Sequence, residues 1–337
     1  MGRFFILFCI SIFLTSPAFA AEPSSPTDTP QLVLVVVNKW YECDPIVEVL
    51  LNGKIRKDLK LPSPTTADSF HVRNNPTNSP VKPSLPNKPR LVYELNNKRV
   101  EVWCISDLLE YLPDDNTVYQ SSSERKAEVL VNVVNGRNPS LIVAVGTAAS
   151  LDKPAFYNGS VVIGASTFVH NGHPNGGNEY SNWQYAGFEK LLPPTISEPD
   201  FYTLFSGSPP SDKFVIPPLP LKETVRERIE PTMIADYQGV SLGTVNVSKT
   251  SEYNLKDQET LNAFETKYDR SLVASIETTH GIIRAAAPNA RFIFISAIVN
   301  RAFRYGEEVL PREYAQDFAG VHNAGVVLAW LLPKFLQ

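Results

Sequence analysis

This chain of 337 residues has few sulfur-containing residues and no excess of positive charge. It has three cysteines and two methionines, and 31 lysine and arginine residues against 35 aspartate and glutamate residues give a formal net charge of −4. The basic residues are scattered, so the positive patch that nucleic acid or an anionic membrane surface requires is missing. We therefore expect no nucleic-acid partner.

Long apolar runs are also rare, and the one at the N-terminus has the features of a secretory signal. The stretch MGRFFILFCISIFLTSPAFAAEPSS combines one arginine, an apolar run and the small-x-small motif Ala18-Phe19-Ala20. The run is too short for a comfortable membrane span, and no other segment approaches roughly 18 uninterrupted apolar residues. Residues 1–20 are predicted to be a cleaved signal peptide and residues 21–30 a linker. The product is expected to be secreted or periplasmic, without stable membrane insertion.

The few cysteines indicate a disulfide. Cys9 leaves with the predicted signal, so that Cys43 and Cys104 remain. In an oxidising compartment a disulfide is the simplest state of two such residues. A reactive thiol and a metal pair are the alternatives, but a metal site needs more ligands than these two cysteines supply.

The order of the apolar segments predicts one α/β domain over residues 31–337. Runs such as QLVLVVVN, SLIVAVG and RFIFISAIV are typical of strands buried on both faces, and helical patterns lie between them. Alternating runs on either side of NN in YELNNKRVEVWCI predict a hairpin, and Asp44-Pro45 predicts a helix start. We predict a three-layer αβα fold with a central mixed, mainly parallel sheet and inserted loops at residues 61–89 and 170–235.

Polar residues follow several predicted strands, at the edge where sheets of this class bind ligands. Glu42 and Asp44 follow the first strand, and Glu277 and Asn300 follow two strands near the C-terminus. A turn of small residues over 146–150 follows the middle strand, and small residues let a ligand approach the backbone. If these strands are neighbours, the polar groups surround one cleft.

The order and spacing of these segments resemble the nucleoside phosphorylase and nucleosidase superfamily, which includes 5′-methylthioadenosine/S-adenosylhomocysteine nucleosidase. LVLVVVNKWYEC looks like its first strand leading to a catalytic acid, YELNNKRVEVWCI like its hairpin, and LIVAVGTAAS like its strand with a glycine- and serine-rich turn. SIETTHGI is similar to its Met-Glu segment that starts a helix. RFIFISAIVN is similar to the strand whose last residue is an Asp or Asn facing the base. The likeness covers most of the predicted mature chain.

Carried over residue by residue, the resemblance gives each of these positions a role. Glu277 accepts hydrogen bonds from the ribose hydroxyls, and Ile276 takes the place of the methionine under the sugar. Glu42, one of two acids that align, matches the acid that activates water. Asn300 matches the residue that contacts the purine near N7, which in the nucleosidases is an Asp that donates a proton, as an amide cannot. The rest of the expected substrate site is Gly146, Thr147 and Ala148.

The resemblance implies a hydrolase that cleaves the N-glycosidic bond of a purine nucleoside or 5′-thionucleoside, with Glu42 and Asn300 as the catalytic residues. The amide at position 300 also suits a nucleoside-binding or storage protein on the same fold. A phosphate-dependent purine nucleoside phosphorylase is a third reading, although no clear pair of phosphate-binding arginines follows the early strands. The partner is a small-molecule nucleoside, and no cofactor is expected. Superfamily members are usually dimers, trimers or hexamers, so a homo-oligomer is one expectation.

Several of these residues also have an ordinary structural interpretation. Glu277 can begin a helix, where an acid stabilises by about 0.3–1 kcal/mol, and Asn300 can end a strand in a local turn. His280, one turn after Glu277, is either a core histidine or a partner of that acid. His170 and His173 lie in a glycine-rich stretch with no evident third ligand, so no metal site is predicted.

Overall fold

The structure is a computed structural model, and its described residues belong to one compact unit, Gln31–Gln337. It describes residues 31–53, 88–95, 98–110, 123–151, 158–171, 190–192, 201, 203–215, 231–236, 239–245, 253–304, 307–308 and 314–337. The predicted signal peptide, the linker and residues 61–87 of the first inserted loop lie outside these ranges.

Eleven strands are described, and they form a single sheet. The strands are β1 (Leu32–Val37), β2 (Leu91–Leu95), β3 (Lys98–Cys104), β4 (Leu141–Ser150), β5 (Val161–Gly164), β6 (Ser166–Asn171), β7 (Lys190–Leu192), β8 (Met233–Ala235), β9 (Val240–Val245), β10 (Val273–Ile276) and β11 (Arg291–Arg301). The α-helices of the described ranges are α1 (Trp40–Gly53), α2 (Ile105–Glu110), α3 (Ser123–Asn135), α4 (Tyr253–Glu265), α5 (Thr278–Ala286) and α6 (Tyr314–Phe335).

The strand order confirms a mixed sheet that is mainly parallel. The main path runs β2-β3-β1-β4-β10-β9-β6-β7, and β11 pairs with β4 off this path. β1 is parallel to β3 and β4, and β11 is parallel to β4. The predicted hairpin is the antiparallel pair β2–β3, whereas β10 meets the end of β4 in antiparallel register.

Alternate residues of β1 face two separate hydrophobic layers, which gives the three-layer αβα arrangement. Val33, Val35 and Val37 pack in one layer with residues of α1 and α6. Leu34 and Val36 pack in the other with residues of α2, α3 and α5. Burial of both faces explains why this strand is a continuous apolar run.

Three sequence predictions on local structure are wrong, and the first two concern the start of α1 and residues 170–235. The first helix begins at Trp40, not at Asp44-Pro45, so Pro45 lies inside it. The first turn starts early because the carbonyl of Lys39 already accepts from the N–H groups of Glu42 and Cys43. The second correction concerns residues 170–235, which the sequence predicts to be a loop but which contain strands β7 and β8. These short strands form because β7 hydrogen-bonds to β6 and β8 hydrogen-bonds to β5.

The small residues predicted to form a turn after the middle strand are part of the strand itself. β4 continues through Gly146, Thr147, Ala148 and Ala149 to Ser150. Its partner β11 runs alongside it over the whole length, so the backbone hydrogen bonds continue past the apolar run. The predicted ligand-binding turn is therefore the last part of a central strand, and it is largely buried.

Among the described helices, we find none long and apolar enough to cross a membrane.

Candidate functional site

Three donors hold the carboxylate of Glu42 between β1 and β4. Glu42 is the third residue of α1, and its Oε2 accepts from the N–H of Lys39 at 2.9 Å, as in a helix capping box. Its Oε1 accepts from the N–H of Thr147 at 2.8 Å and from the Thr147 hydroxyl at 2.6 Å. The residue is 2% exposed. Capping and cross-strand bonds thus fix an acid at the carboxyl end of the sheet.

Asp44, the other acid of this segment, is engaged elsewhere. Nη1 of Arg90 donates to Asp44 at 2.5 Å, and the same guanidinium binds both oxygens of Asp107. Burial raises the pKa of Asp44, and the charge of Arg90 opposes that rise. Among the hydrogen bonds of the described residues, those to β4 involve Glu42 and not Asp44.

Cys43 and Cys104 are buried, free thiols in the structure, so the predicted disulfide is not formed there. They are close enough that a hydrogen bond to Cys104, together with burial, raises the pKa of the Cys43 thiol. Cys104 is the last residue of β3. Cys43 lies in the first turn of α1 and follows Glu42 directly in the chain. Their oxidation remains a prediction.

Gly146 makes room for the Glu42 carboxylate. A Cβ at this position would lie 3.3 Å from Oε1 of Glu42. Such contacts are tighter than van der Waals contact allows without movement, and Glu42 cannot move freely because Thr147 and Lys39 hold it. The small residue therefore serves the protein's own acid, which the sequence analysis had not anticipated.

Gly146→Ala is accordingly expected to lower the free energy of unfolding by about 1 kcal/mol, within the usual range for a buried clash. Urea denaturation of the full chain measures this. The matched control is Gly136→Ala after α3, where the nearest atom to an added Cβ is the Asn132 carbonyl oxygen at 3.5 Å. Equal stability of the two variants would contradict the assigned role of Gly146.

Glu277 caps α5 directly after β10. Its Oε1 accepts from the N–H of Thr279 at 3.0 Å, with extended backbone at the cap residue itself. The structural interpretation as a helix start is thus correct. Loss of hydration and the charge of Glu42 nevertheless raise the pKa of Glu277 to about 7, against the hydrogen bonds of Thr279 and the charge of Lys126. The acid that caps the helix also lies within electrostatic range of Glu42.

The end of β4 brings the three polar candidates together. Glu42 binds Thr147, while Ala149 is paired with Ile276 of β10 on one flank and with Asn300 of β11 on the other. A register shift between Ile298 and Asn300 accompanies the second pairing. The condition stated in the sequence analysis is met, because β1, β10 and β11 all pair with β4. The contacts of Glu42, Ile276 and Asn300 fall within residues 147–149 of that strand.

Asn300 is partly buried and its amide is oriented by the backbone. Nδ2 donates to the carbonyl of Arg301 at 3.1 Å. Arg301 is itself anchored by Glu308, which accepts from its backbone N–H at 2.7 Å and from its guanidinium, and both residues are buried. The segment after β11 is thereby held against the sheet next to Asn300.

The apolar candidates contribute shape to the site. Ile276 is 7% exposed and packs with Phe168 and Phe264 in a core cluster. Ala148 is buried in the layer that contains α3 and α5, so its side chain faces the core. Ile276 therefore anchors the backbone next to Glu277 in the hydrophobic core. Ala148 can offer a ligand only its backbone groups.

Lys126 is a site residue that the sequence analysis missed. It lies near the start of α3, is 7% exposed, and is within electrostatic range of Glu42, Glu277 and Lys39. Burial and the charge of Lys39 lower its pKa to about 8, against the two carboxylates. A signal existed in the sequence, since Lys126 shares helical spacing with the buried Leu130 and Val133 and so interrupts an apolar face.

His280 is a core histidine bound by serines. Its Nδ1 lies 3.2 Å from the hydroxyl of Ser241 and 3.3 Å from that of Ser296, and its ring stacks on Phe294. Nε2 is buried and has no hydrogen-bond partner among the residues that the structure describes. Burial lowers the pKa of His280 to about 3. The imidazole is therefore neutral at physiological pH.

Stability should fall on acidification because of this histidine. Its pKa is depressed in the folded state from about 6.5, so below pH 6.5 the unfolded chain binds a proton that the folded chain refuses. The free energy of unfolding is expected to lose about 1.4 kcal/mol per pH unit from this group between pH 6 and 4. Urea titrations of wild type and His280→Gln measure it as a difference in slope. Parallel slopes would contradict a neutral His280.

The described residues contain no cluster of three or more His, Cys, Asp or Glu that could hold a metal ion. The side chain of His170 and the whole of His173 lie outside what the structure describes. Asn246, which follows β9, lies outside the described ranges too.

Comparison with known proteins gives structural matches but no sequence matches. No protein-family model and no curated protein matches the sequence. The structure is similar to that of Arabidopsis thaliana 5′-methylthioadenosine nucleosidase, with a TM-score of 0.51 and 14% identity over 91% of this chain and 96% of that one. It is also similar to a Borrelia burgdorferi protein assigned as a 5′-methylthioadenosine/S-adenosylhomocysteine nucleosidase and bound to adenine, with a TM-score of 0.51 and 9% identity over 90% and 99% of the two chains. The chain therefore has the same fold as these two proteins.

Proposed function

We propose that the protein hydrolyses the N-glycosidic bond of a purine nucleoside or 5′-thionucleoside. The observation that carries the proposal is the convergence of Glu42, Glu277 and Asn300 on residues 147–149 of β4. The Arabidopsis neighbour is a 5′-methylthioadenosine nucleosidase, and the Borrelia neighbour was crystallised with adenine. Both point to an adenine thionucleoside as the first substrate to test.

In this proposal Glu42 is the base. It accepts three hydrogen bonds that fix its orientation, and its burial removes competing water. Water attacks C1′ of the sugar and gives a proton to Glu42, while the C1′–N bond breaks and its electron pair leaves with the base. The released base takes up a proton from solvent and Glu42 gives its proton back to solvent, so that the elements of water are added across the bond and the carboxylate is regenerated.

Glu277 binds and stabilises the sugar. A carboxylate has about four acceptor positions, more than its capping bond to Thr279 uses. Two ribose hydroxyls can therefore donate to it, and such charge-assisted bonds are among the stronger hydrogen bonds in proteins. Its negative charge also favours the positive charge that develops on the sugar ring as the bond breaks. Asn300 contributes a hydrogen bond to the departing base and no proton.

The test is incubation of the full chain with a panel of purine nucleosides and 5′-thionucleosides, with and without phosphate, followed by chromatography of free base and sugar. Hydrolysis predicts free base and free sugar without phosphate. Base release that requires phosphate and yields a sugar 1-phosphate would replace the proposal with a phosphorylase.

A nucleoside-binding protein is the second candidate, and Asn300 is the observation that favours it. Its amide donates to the Arg301 carbonyl and cannot protonate a leaving base. A nucleoside that raises the melting temperature of the protein without base release over long incubation would support this candidate over hydrolysis.

A further inference from the structure

We propose that Arg90 is a positioning residue of the candidate site. By binding Asp44, it holds α1 in the earlier of two competing helix starts, the one that brings Glu42 to β4. The inference rests on the proposed function for the catalytic role of Glu42. The choice between the two helix starts can be tested without any substrate.

The sequence around the start of α1 favours a later start than the one observed. Asp44 followed by Pro45 suits the N-cap and first residue of a helix. The helix instead includes an additional turn, residues 40–43, which begins after Lys39. The side chain of Lys39 has no oxygen with which to cap that turn. Glu42 belongs to the additional turn, so its position depends on which start the chain adopts.

The additional turn is weakly joined to the rest of α1. Pro45 has no N–H, so the helical bond to the carbonyl of Tyr41, four residues earlier, does not form. A proline ring inside a helix also crowds that carbonyl. The backbone bonds that close the turn run from the N–H groups of Glu42 and Cys43 to the carbonyl of Lys39, at 3.1 and 3.0 Å. Contacts from outside the helix must therefore stabilise the turn.

Two groups outside α1 hold the additional turn, one at each end. Before it, the carbonyl of Asn38 accepts from the N–H of Ser106 at 3.0 Å and from the Ser106 hydroxyl at 3.1 Å. After it, Nη1 of Arg90 donates to Oδ1 of Asp44 at 2.5 Å. The same guanidinium donates to both oxygens of Asp107, at 2.5 and 2.7 Å. Ser106 and Asp107 both belong to α2, so α2 is the support against which the start of α1 is held.

The bond to Arg90 also decides between the two starts. To cap a helix that begins at Pro45, the Asp44 carboxylate would have to accept from the N–H groups of the residues that follow. It binds the guanidinium instead, in a hydrogen bond whose donor and acceptor are both charged. The side chains of Arg90 and Asp107 are 12% and 9% exposed, which limits competition from water. Arg90 therefore removes Asp44 from the competing cap.

The observed start gives Glu42 its contacts with the sheet. In the additional turn its carboxylate accepts from the N–H of Lys39 at 2.9 Å and from the N–H and hydroxyl of Thr147 at 2.8 and 2.6 Å. A later start would break the backbone bonds that close the turn and release Glu42 from β4. Arg90 thus acts on the proposed base through the backbone of α1 and not by contact with a ligand.

Arg90→Met tests the proposal by hydrogen–deuterium exchange of the full chain, followed by mass spectrometry of peptides from residues 38–44 and 145–150. Exchange in the first segment is expected to rise about 10-fold or more, since loss of a hydrogen bond between charged groups favours local opening by that order. In the second segment the amide of Thr147 should lose protection, because its acceptor Glu42 leaves. Unchanged exchange in a folded Arg90→Met protein would overturn the proposal.

Arg137→Met is the matched control, because it also removes a guanidinium that binds a buried carboxylate. Arg137 donates to Glu101 at 2.9 Å and precedes β4, at the end of that strand remote from Thr147. Exchange in residues 38–44 should stay at the wild-type rate in this variant. Arg90→Lys keeps the charge but not the fork that reaches two aspartates, so exchange should rise less. Should Arg90→Met not fold, Arg90→Lys becomes the test, and unchanged exchange in it would count against the proposal.

Two double variants separate competition between helix starts from simple loss of an ion pair. Arg90→Met with Asp44→Ala removes both the unpaired charge and the competing cap. Arg90→Met with Asp44→Asn removes the charge but keeps a side chain that caps a helix as well as Asp does. Competition predicts about 5-fold faster exchange of residues 38–44 in the Asn variant, the factor that a cap of about 1 kcal/mol gives. Equal exchange in the two double variants would overturn the proposal.

Activity links the helix start to the proposed function. With an active substrate, kcat of Arg90→Met is expected to fall while KM stays near the wild-type value. The double variant with Asp44→Ala should recover more of kcat than the one with Asp44→Asn. A kcat that follows none of the changes in exchange would remove Arg90 from the positioning of Glu42. Absence of activity in the wild-type protein would count against the proposed function, and the exchange results would still decide the helix start.

Discussion

Glu42→Gln is expected to lower the rate of base release by about 10²- to 10⁴-fold, the usual contribution of a general base, while nucleoside binding persists. The amide keeps the size of the side chain but cannot take a proton from water. It also turns one acceptor into a donor, and both oxygens of Glu42 face donors, on Lys39 and Thr147. The free energy of unfolding should therefore fall by about 1–3 kcal/mol as well.

Steady-state kinetics and a binding titration separate these effects, with Glu94→Gln on the edge strand β2 as the matched control. The Glu94 side chain is 70% exposed, so its loss of charge should change neither turnover nor stability. Turnover by Glu42→Gln at the wild-type rate would remove Glu42 from the chemistry and leave it a capping residue.

Glu277→Ala is expected to weaken nucleoside binding by about 10²-fold or more, since two hydrogen bonds to a charged acceptor contribute about 1.5–3 kcal/mol each. Glu277→Gln retains an oxygen for the cap bond to Thr279 and should fall between Ala and wild type. Calorimetric titration with a thionucleoside measures the affinities at pH 8, above the raised pKa of Glu277.

The control for Glu277 must remove a capping acid without touching the site. Asp269→Ala fits, because Asp269 caps a short 3₁₀ turn and accepts from the N–H of Ser271 at 2.8 Å. Both Ala variants should lose about 1 kcal/mol of stability from the missing cap. Equal nucleoside affinity in the two variants would assign Glu277 a purely structural role.

Strands and helices with strong periodicity could be predicted from the sequence, because burial on one or both faces dictates their pattern. β1 and the β2–β3 hairpin lie where their patterns placed them. Glu277 and Asn300 could be selected as well, since each follows an apolar run in the sequence. The start of α1 could not, because a proline signal competes with a reach-back bond from Glu42 that depends on the tertiary position of β4.

The electrostatics of the site could not be predicted from the sequence. Lys126 is distant in the chain from both acids, and its effect on Glu277 exists only after α3 and α5 pack together. The use of Gly146 likewise depends on a side chain from another element. The sequence showed a residue without a side chain, and the structure shows that Glu42 occupies the space.

The flanking of Ala149 by β10 and β11 also bears on how the protein folds. Ile276 and Asn300 reach β4 only after most of the chain has been synthesised, and Glu42 comes from its beginning. Loop closure over such separations makes these contacts slow to form. A nascent chain that lacks β11 therefore has no complete site, and the ability to bind a nucleoside should emerge together with the last cooperative step of folding.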